Sequence, residues 1–146
     1  MNALFVGLAL VAGAPALKGP AKGDSPPIEG LWELTEWYIA GQPAQFTEGF
    51  TTEFLPKGIR MLKQGPGQAA DERGYKLISN TKPAAIDYMR PSGEGPPDIF
   101  LGIYKVEGDT LTVALGDQGN DRPKIIEKEN EAVWTFMKFK RAKKKE

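Results

Sequence analysis

The chain has 146 residues, 40% of them hydrophobic and 26% charged, the size and composition of one globular domain with a single core. Cys and His are both absent, which excludes disulfides, thiolate nucleophiles, Ser-His-Asp and Cys-His catalysis, Cys-based zinc or iron–sulfur sites, and imidazole metal ligands. The net charge is zero, yet six of the nineteen basic residues fall in the last nine positions, so a mildly acidic body of 13 basic and 18 acidic residues precedes a basic tail.

Residues 3–17 form an uncharged apolar stretch, too short to span a bilayer as a helix and the right length for the apolar region of a signal peptide. Ala14-Pro15-Ala16 supplies small residues before a cleavage point after Ala16, so residues 1–16 are expected to be a signal peptide, although Met1-Asn2 lacks the usual basic start. The expected destination is the periplasm or the extracellular space. Residues 17–27, rich in Lys, Gly and Pro, cannot bury a core and read as a flexible leader.

From Ile28 onward, short apolar or alternating runs recur, each bounded by Gly, Pro, Asn or Asp, and none keeps a helical period for three turns. Eight strands are predicted, over 31–40, 50–55, 59–63, 74–79, 84–89, 99–106, 110–115 and 133–140. Glu107-Gly108-Asp109 and Pro56-Lys57-Gly58 have hairpin chemistry, a fixed φ at Pro and a freely positive φ at Gly. Neighbouring strands are therefore expected to pair in sequence order. The fold class is all-β, an antiparallel meander barrel of about eight strands, over residues 28–141, with 142–146 as a basic tail.

Within the seventh strand, Leu111, Val113 and Leu115 should face the core, and Thr110, Thr112 and Ala114 a wetter side. The last strand is apolar on both parities, Val133, Thr135, Met137 and Phe139 against Trp134 and Phe136, so both of its faces should be covered.

A set of short motifs runs through this region: Ile28-x-Gly30-x-Trp32-x-Leu34, Gly41-x-Pro43, Lys82-Pro83-x-Ala85-Ile86-Asp87, Leu101-Gly102-Ile103-Tyr104-x-x-x-Gly108-Asp109-Thr110-Leu111, Gly119-x-x-Arg122-Pro123 and Phe139-Lys140-Arg141. In this order they resemble an uncharacterised planctomycete domain family of lipocalin-like character, along nearly the whole mature chain. The resemblance implies a lipocalin-like barrel behind a signal peptide and no established activity. It also implies that Trp32 plugs the closed end of the barrel while Arg141, from the last strand, lies across its ring in a cation–π contact. That family often carries a Cys shortly after Gly-Asp-Thr-Leu, where this chain has Ala114.

Other residues invite chemistry and have plainer readings. Any two of Asp87, Asp98, Asp109 and Asp121 could form the carboxylate pair of a glycoside hydrolase, but aspartates near turns ordinarily shape the turn and solvate the sheet. Asp117, Asn120 and Asp121 around Gly119 hint at a weak calcium site without the spacing of a calcium loop; a turn held by side-chain-to-backbone bonds is the expectation, with no metal or other cofactor. Arg122 could present a guanidinium to an anion at the barrel mouth, or pair with an acidic neighbour. The basic tail lacks interleaved aromatic residues and reads as solvated, so no nucleic-acid partner is expected.

Trp37, Tyr38, Phe100, Tyr104, Trp134 and Phe136 supply aromatic bulk. An eight-stranded barrel is either filled by such side chains or just wide enough for one small ligand, and a filled interior is the default. The expected role is non-catalytic: binding a small apolar ligand at the barrel mouth, or else contacting an envelope protein as an interaction module. A carboxylate-dependent hydrolase ranks behind both.

Overall fold

A computed structural model describes residues 28–78 and 80–142. The expected signal peptide and leader, Ser79 and the last four tail residues lie outside the described residues.

The strands are β1 (Gly30–Ile39), β2 (Gln42–Pro43), β3 (Thr51–Leu55), β4 (Ile59–Lys63), β5 (Asp71–Ile78), β6 (Ala84–Arg90), β7 (Asp98–Glu107), β8 (Thr110–Leu115) and β9 (Thr135–Arg141). All pairings are antiparallel, each long strand pairs with the next, and β9 returns to β1, so eight strands close a barrel. The two-residue β2 is a spur on the end of β1. The fold is the all-β meander that the alternation predicts, and hairpin chemistry accounts for its order. Gly108, at φ 62°, turns β7 into β8 across the Glu107–Thr110 pair, and Lys57 and Gly58, at φ 71° and 77°, turn β3 into β4.

Because side chains alternate across a strand, register assigns the inner wall. Trp32 stands opposite Thr52 and Thr52 opposite Leu62; Tyr75 opposite Tyr88 and Tyr88 opposite Phe100; Leu111 opposite Phe139. Strand β1 would lose this phase in its second half but for a bulge between Leu34 and Glu36. The extra residue, Thr35, is exposed, and its hydroxyl donates to the Lys138 carbonyl. One residue of slip turns Trp37 toward the interior and Tyr38 outward.

The two ends of the barrel differ. At one, Trp32 is fully buried and its indole N–H donates to the Ile28 carbonyl at 2.9 Å. The Arg141 guanidinium lies 4.1 Å from the Trp32 ring centroid. Ile28, Phe54, Tyr75, Leu111 and Phe139 pack on from there as the main core. Tyr75 closes edge-on against Phe54, with centroids 5.0 Å apart, and its hydroxyl donates to the Leu55 carbonyl.

A second cluster sits outside the barrel wall. The 116–134 connection from β8 to β9 folds back over β7, β8 and β9, bringing Ile126 and Val133 onto Ile103, Ala114, Phe136 and Tyr38. Two features of the sequence acquire their reason here. The last strand is apolar on both parities because Met137 and Phe139 meet the interior while Phe136 meets this strap. The expected wet side of β8 is wet only at Thr110: Thr112 and Ala114 are buried beneath the strap, nearly as fully as Val113 is beneath the core. Trp134 precedes β9 instead of lying in it, holding the strap down by donating its backbone N–H to the Leu115 carbonyl.

Candidate functional site at the open end of the barrel

The end of the barrel opposite Trp32 is built from the last residues of β1, β4, β6 and β8 and the first of β3, β5, β7 and β9, as an antiparallel meander requires. There the interior is not filled. Two adjoining lobes of about 250 Å³ each share Trp37, Arg60, Arg73, Tyr88 and Thr135 in their lining. One lobe descends onto Leu34, Leu62, Met137 and Phe139; the other opens past Ile39, Phe100 and Leu115 to Trp134. The expectation of a filled barrel thus holds for the plugged half and fails for the open half. The aromatic inventory splits accordingly: Trp37, Phe100 and Trp134 reach the cavity, Tyr104 is core, and Tyr38 and Phe136 belong to the outer cluster.

The polar groups of this cavity are unusual in kind. Arg60 is only 5% exposed. Its Nε donates to the Gly74 carbonyl at 3.2 Å, and its guanidinium carbon lies 3.8 Å from the Tyr88 ring centroid. No ion pair reaches it from the described residues. Burial pushes its pKa down, with the Tyr88 ring opposing and the neighbouring Arg73 reinforcing. Arg73 stands directly across the β4–β5 pair from Arg60, an arrangement of like charges that costs stability. Its nearest carboxylate is Asp71, at 3.9 Å. A third guanidinium, Arg90, borders the outer lobe but is engaged by Asp98 at 3.0 Å. No carboxylate lines either lobe.

Two buried donors in the same lining have no partner among the described residues: the Tyr88 hydroxyl and the Trp37 indole N–H. Burial holds Tyr88 neutral by pushing its pKa up to about 12, against the opposing pull of Arg60. Leaving such a donor unsatisfied costs about 1–3 kcal/mol. The cavity therefore combines apolar walls, one buried cation and two idle donors, and it offers no acceptor of comparable strength.

The aspartates read from the sequence go to separate places. Asp87 points out of the wall and accepts Arg122 at 2.6 Å, while the same Arg122 nitrogen donates to the Gly102 carbonyl at 2.9 Å. Arg122 is thus a strap anchor on the outer wall and not a mouth residue. Asp98 accepts from Arg90 and Gln118. Asp109 sits at the plugged end, 3.9 Å from Arg141, and Asp121 is exposed in the strap. Asp117 and Asn120 make a turn, the Asn120 backbone N–H donating to the Asp117 carbonyl and the Gln118 N–H to the Asp117 carboxylate. Among the described residues no three acidic side chains gather where they could hold a metal ion.

Sequence reasoning missed the residues that matter most here. Arg60 was hidden in Ile59-Arg60-Met61-Leu62, where a strand with apolar residues on both parities gives no sign of which one faces in. Arg73 fell before the predicted start of its strand, because Asp71-Glu72-Arg73 looks like a loop. Only the register of β5 against β4 reveals both. Compared with known proteins, the chain matches no family model and no curated protein.

Proposed function

We propose that the chain is a non-catalytic, exported, lipocalin-like domain that holds one small, largely apolar ligand in the open end of its barrel. The open-end cavity carries this reading. Leu34, Phe50, Leu62, Met137 and Phe139 give it apolar walls, and the Tyr88 hydroxyl and Trp37 N–H wait in it as donors. Enclosure by apolar walls with a few placed polar groups is the general character of small-ligand sites. A non-catalytic role is supported by a sequence without Cys or His and by a lining without carboxylates. Export is supported by the apolar stretch at 3–17, and the planctomycete family by the motifs from Ile28 to Arg141. In this reading Trp32 and Arg141 close the far end.

The test is titration of the full chain with the neutral, polarity-sensitive dye N-phenyl-1-naphthylamine. One saturable site with blue-shifted emission is expected, together with its loss in Leu62→Trp, which fills the inner lobe. Absence of saturable binding up to the dye's solubility rejects the reading. A second reading, an interaction module of the cell envelope, draws on Ile125 and Trp134, large apolar side chains 56% and 42% exposed. It calls for concentration-dependent association in sedimentation that Trp134→Ser abolishes.

A further inference from the structure

Resting on the ligand-binding reading above, we infer that the ligand is an amphiphile with a carboxylate head, seated with that head against Arg60, Tyr88 and Trp37 and with its apolar body along the rest of the cavity.

Three observations support this independently of one another. The first is charge. Burying a guanidinium without a counter-charge is among the costliest arrangements a fold can adopt, and Arg60 is buried with a single hydrogen bond, from Nε, to a backbone carbonyl. Its two terminal nitrogens donate no hydrogen bond and form no ion pair among the described residues. A second guanidinium, Arg73, lines the same two lobes from the facing position. The lobes' lining contains no carboxylate to offset either.

The second is hydrogen-bond polarity. The Tyr88 hydroxyl and Trp37 N–H, both buried and unpartnered among the described residues, are donors in this setting, as every guanidinium nitrogen is. A ligand that only donates leaves all of them stranded. A ligand group that only accepts satisfies them together. The third is number. A guanidinium fork with one hydroxyl and one N–H in the same lining matches in number the two oxygens of one planar carboxylate, the group that arginine binds in bidentate fashion.

The cation–π contact fixes the geometry. With its guanidinium carbon 3.8 Å from the Tyr88 centroid, Arg60 is held over a ring, and the phenol bearing the unpartnered hydroxyl is that same ring. The head site is thus pre-organised, and the remaining walls are mostly hydrocarbon, with Leu62, Met137 and Phe139 below and Thr52, Gln64 and Thr135 the neutral polar side chains among them.

The experiment is displacement of N-phenyl-1-naphthylamine from the full chain by decanoate and, in parallel, by decan-1-ol, which has the same chain and no charge. Decanoate is expected to bind at least thirtyfold more tightly than decanol. Arg60→Met should erase that difference while leaving decanol within threefold of its original affinity. Tyr88→Phe, which keeps the ring under Arg60, should lower decanoate affinity five- to tenfold and decanol affinity by a smaller factor, since a neutral hydroxyl accepts a weaker bond, so the inference stays testable even if the Arg60 variant fails to fold. Equal displacement by both compounds overturns the carboxylate inference and leaves the apolar-ligand reading standing. No displacement by either, with no dye binding, overturns both.

Discussion

Replacing Tyr88 by Phe removes one oxygen from the barrel interior and leaves the ring, its packing against Phe54 and its place beneath Arg60. The oxygen is fully buried and has no partner among the described residues. Keeping it there costs about 1–3 kcal/mol. Phe holds the Arg60 cation slightly less well than Tyr does, by about 0.5 kcal/mol at most. The unliganded Phe variant should therefore be more stable at pH 7, by about 0.5–2.5 kcal/mol, the difference of those two effects. With a urea slope of about 2 kcal/mol/M, its midpoint should rise by about 0.3–1.2 M, followed by far-UV circular dichroism.

The gap should also widen in alkali. The folded-state pKa of Tyr88 is pushed from 10.0 up to about 12 by burial. Because the folded value lies above the unfolded one, its stabilising contribution is complete below pH 10 and is lost as pH climbs toward 12, about 2–3 kcal/mol in all. Phe at this position cannot lose it. A variant destabilised by 1 kcal/mol or more at pH 7, or one that weakens in parallel with the parent between pH 10 and 12, would refute the reasoning that this hydroxyl is idle in the unliganded barrel.

Arg141→Met removes a half-exposed guanidinium from the Trp32 ring; a loss of about 0.5–2 kcal/mol is expected in urea titration, and Trp32 emission should shift. Gly102→Ala places a Cβ 2.5 Å from the Leu115 side chain and 2.6 Å from the Ala114 carbonyl, so it should cost about 1–3 kcal/mol or more, measured the same way, because β7 and β8 cannot separate without breaking their ladder. Arg122→Met leaves Asp87 without its ion pair and the strap without its bond to Gly102; amide exchange should accelerate in the strap while β3 to β5 are unchanged.

Much of this architecture is legible in the chain because closed meanders advertise themselves. Alternating runs of five to ten residues and turn chemistry at Lys57-Gly58 and Gly108 fix strand order, and most predicted boundaries fall within two residues of those observed. Three things were out of reach for physical reasons. The Gln42–Pro43 spur is two residues long and carries no pattern. The bulge at Thr35 changes which parity faces in, and nothing local in Leu34-Thr35-Glu36 announces it, so the inward turn of Trp37 was invisible. The outer cover on β8 and β9 depends on where a loop of mixed composition chooses to lie. Of the candidate site, the aromatic supply was legible and the arginines were not. A charged residue inside a strand is read as an outward one unless the partner strand's register is known.

The pairing of Trp32 with Arg141 sets the start of β1 and the end of β9 side by side at the plugged end, away from the cavity. Anything joined to the domain through either end, whether a leader, a tether or a neighbouring domain, is therefore attached at its base. Polypeptide fused before Ile28 or after Ala142 starts from the plugged end, and such fusions should leave the dye titration of the open-end cavity unchanged.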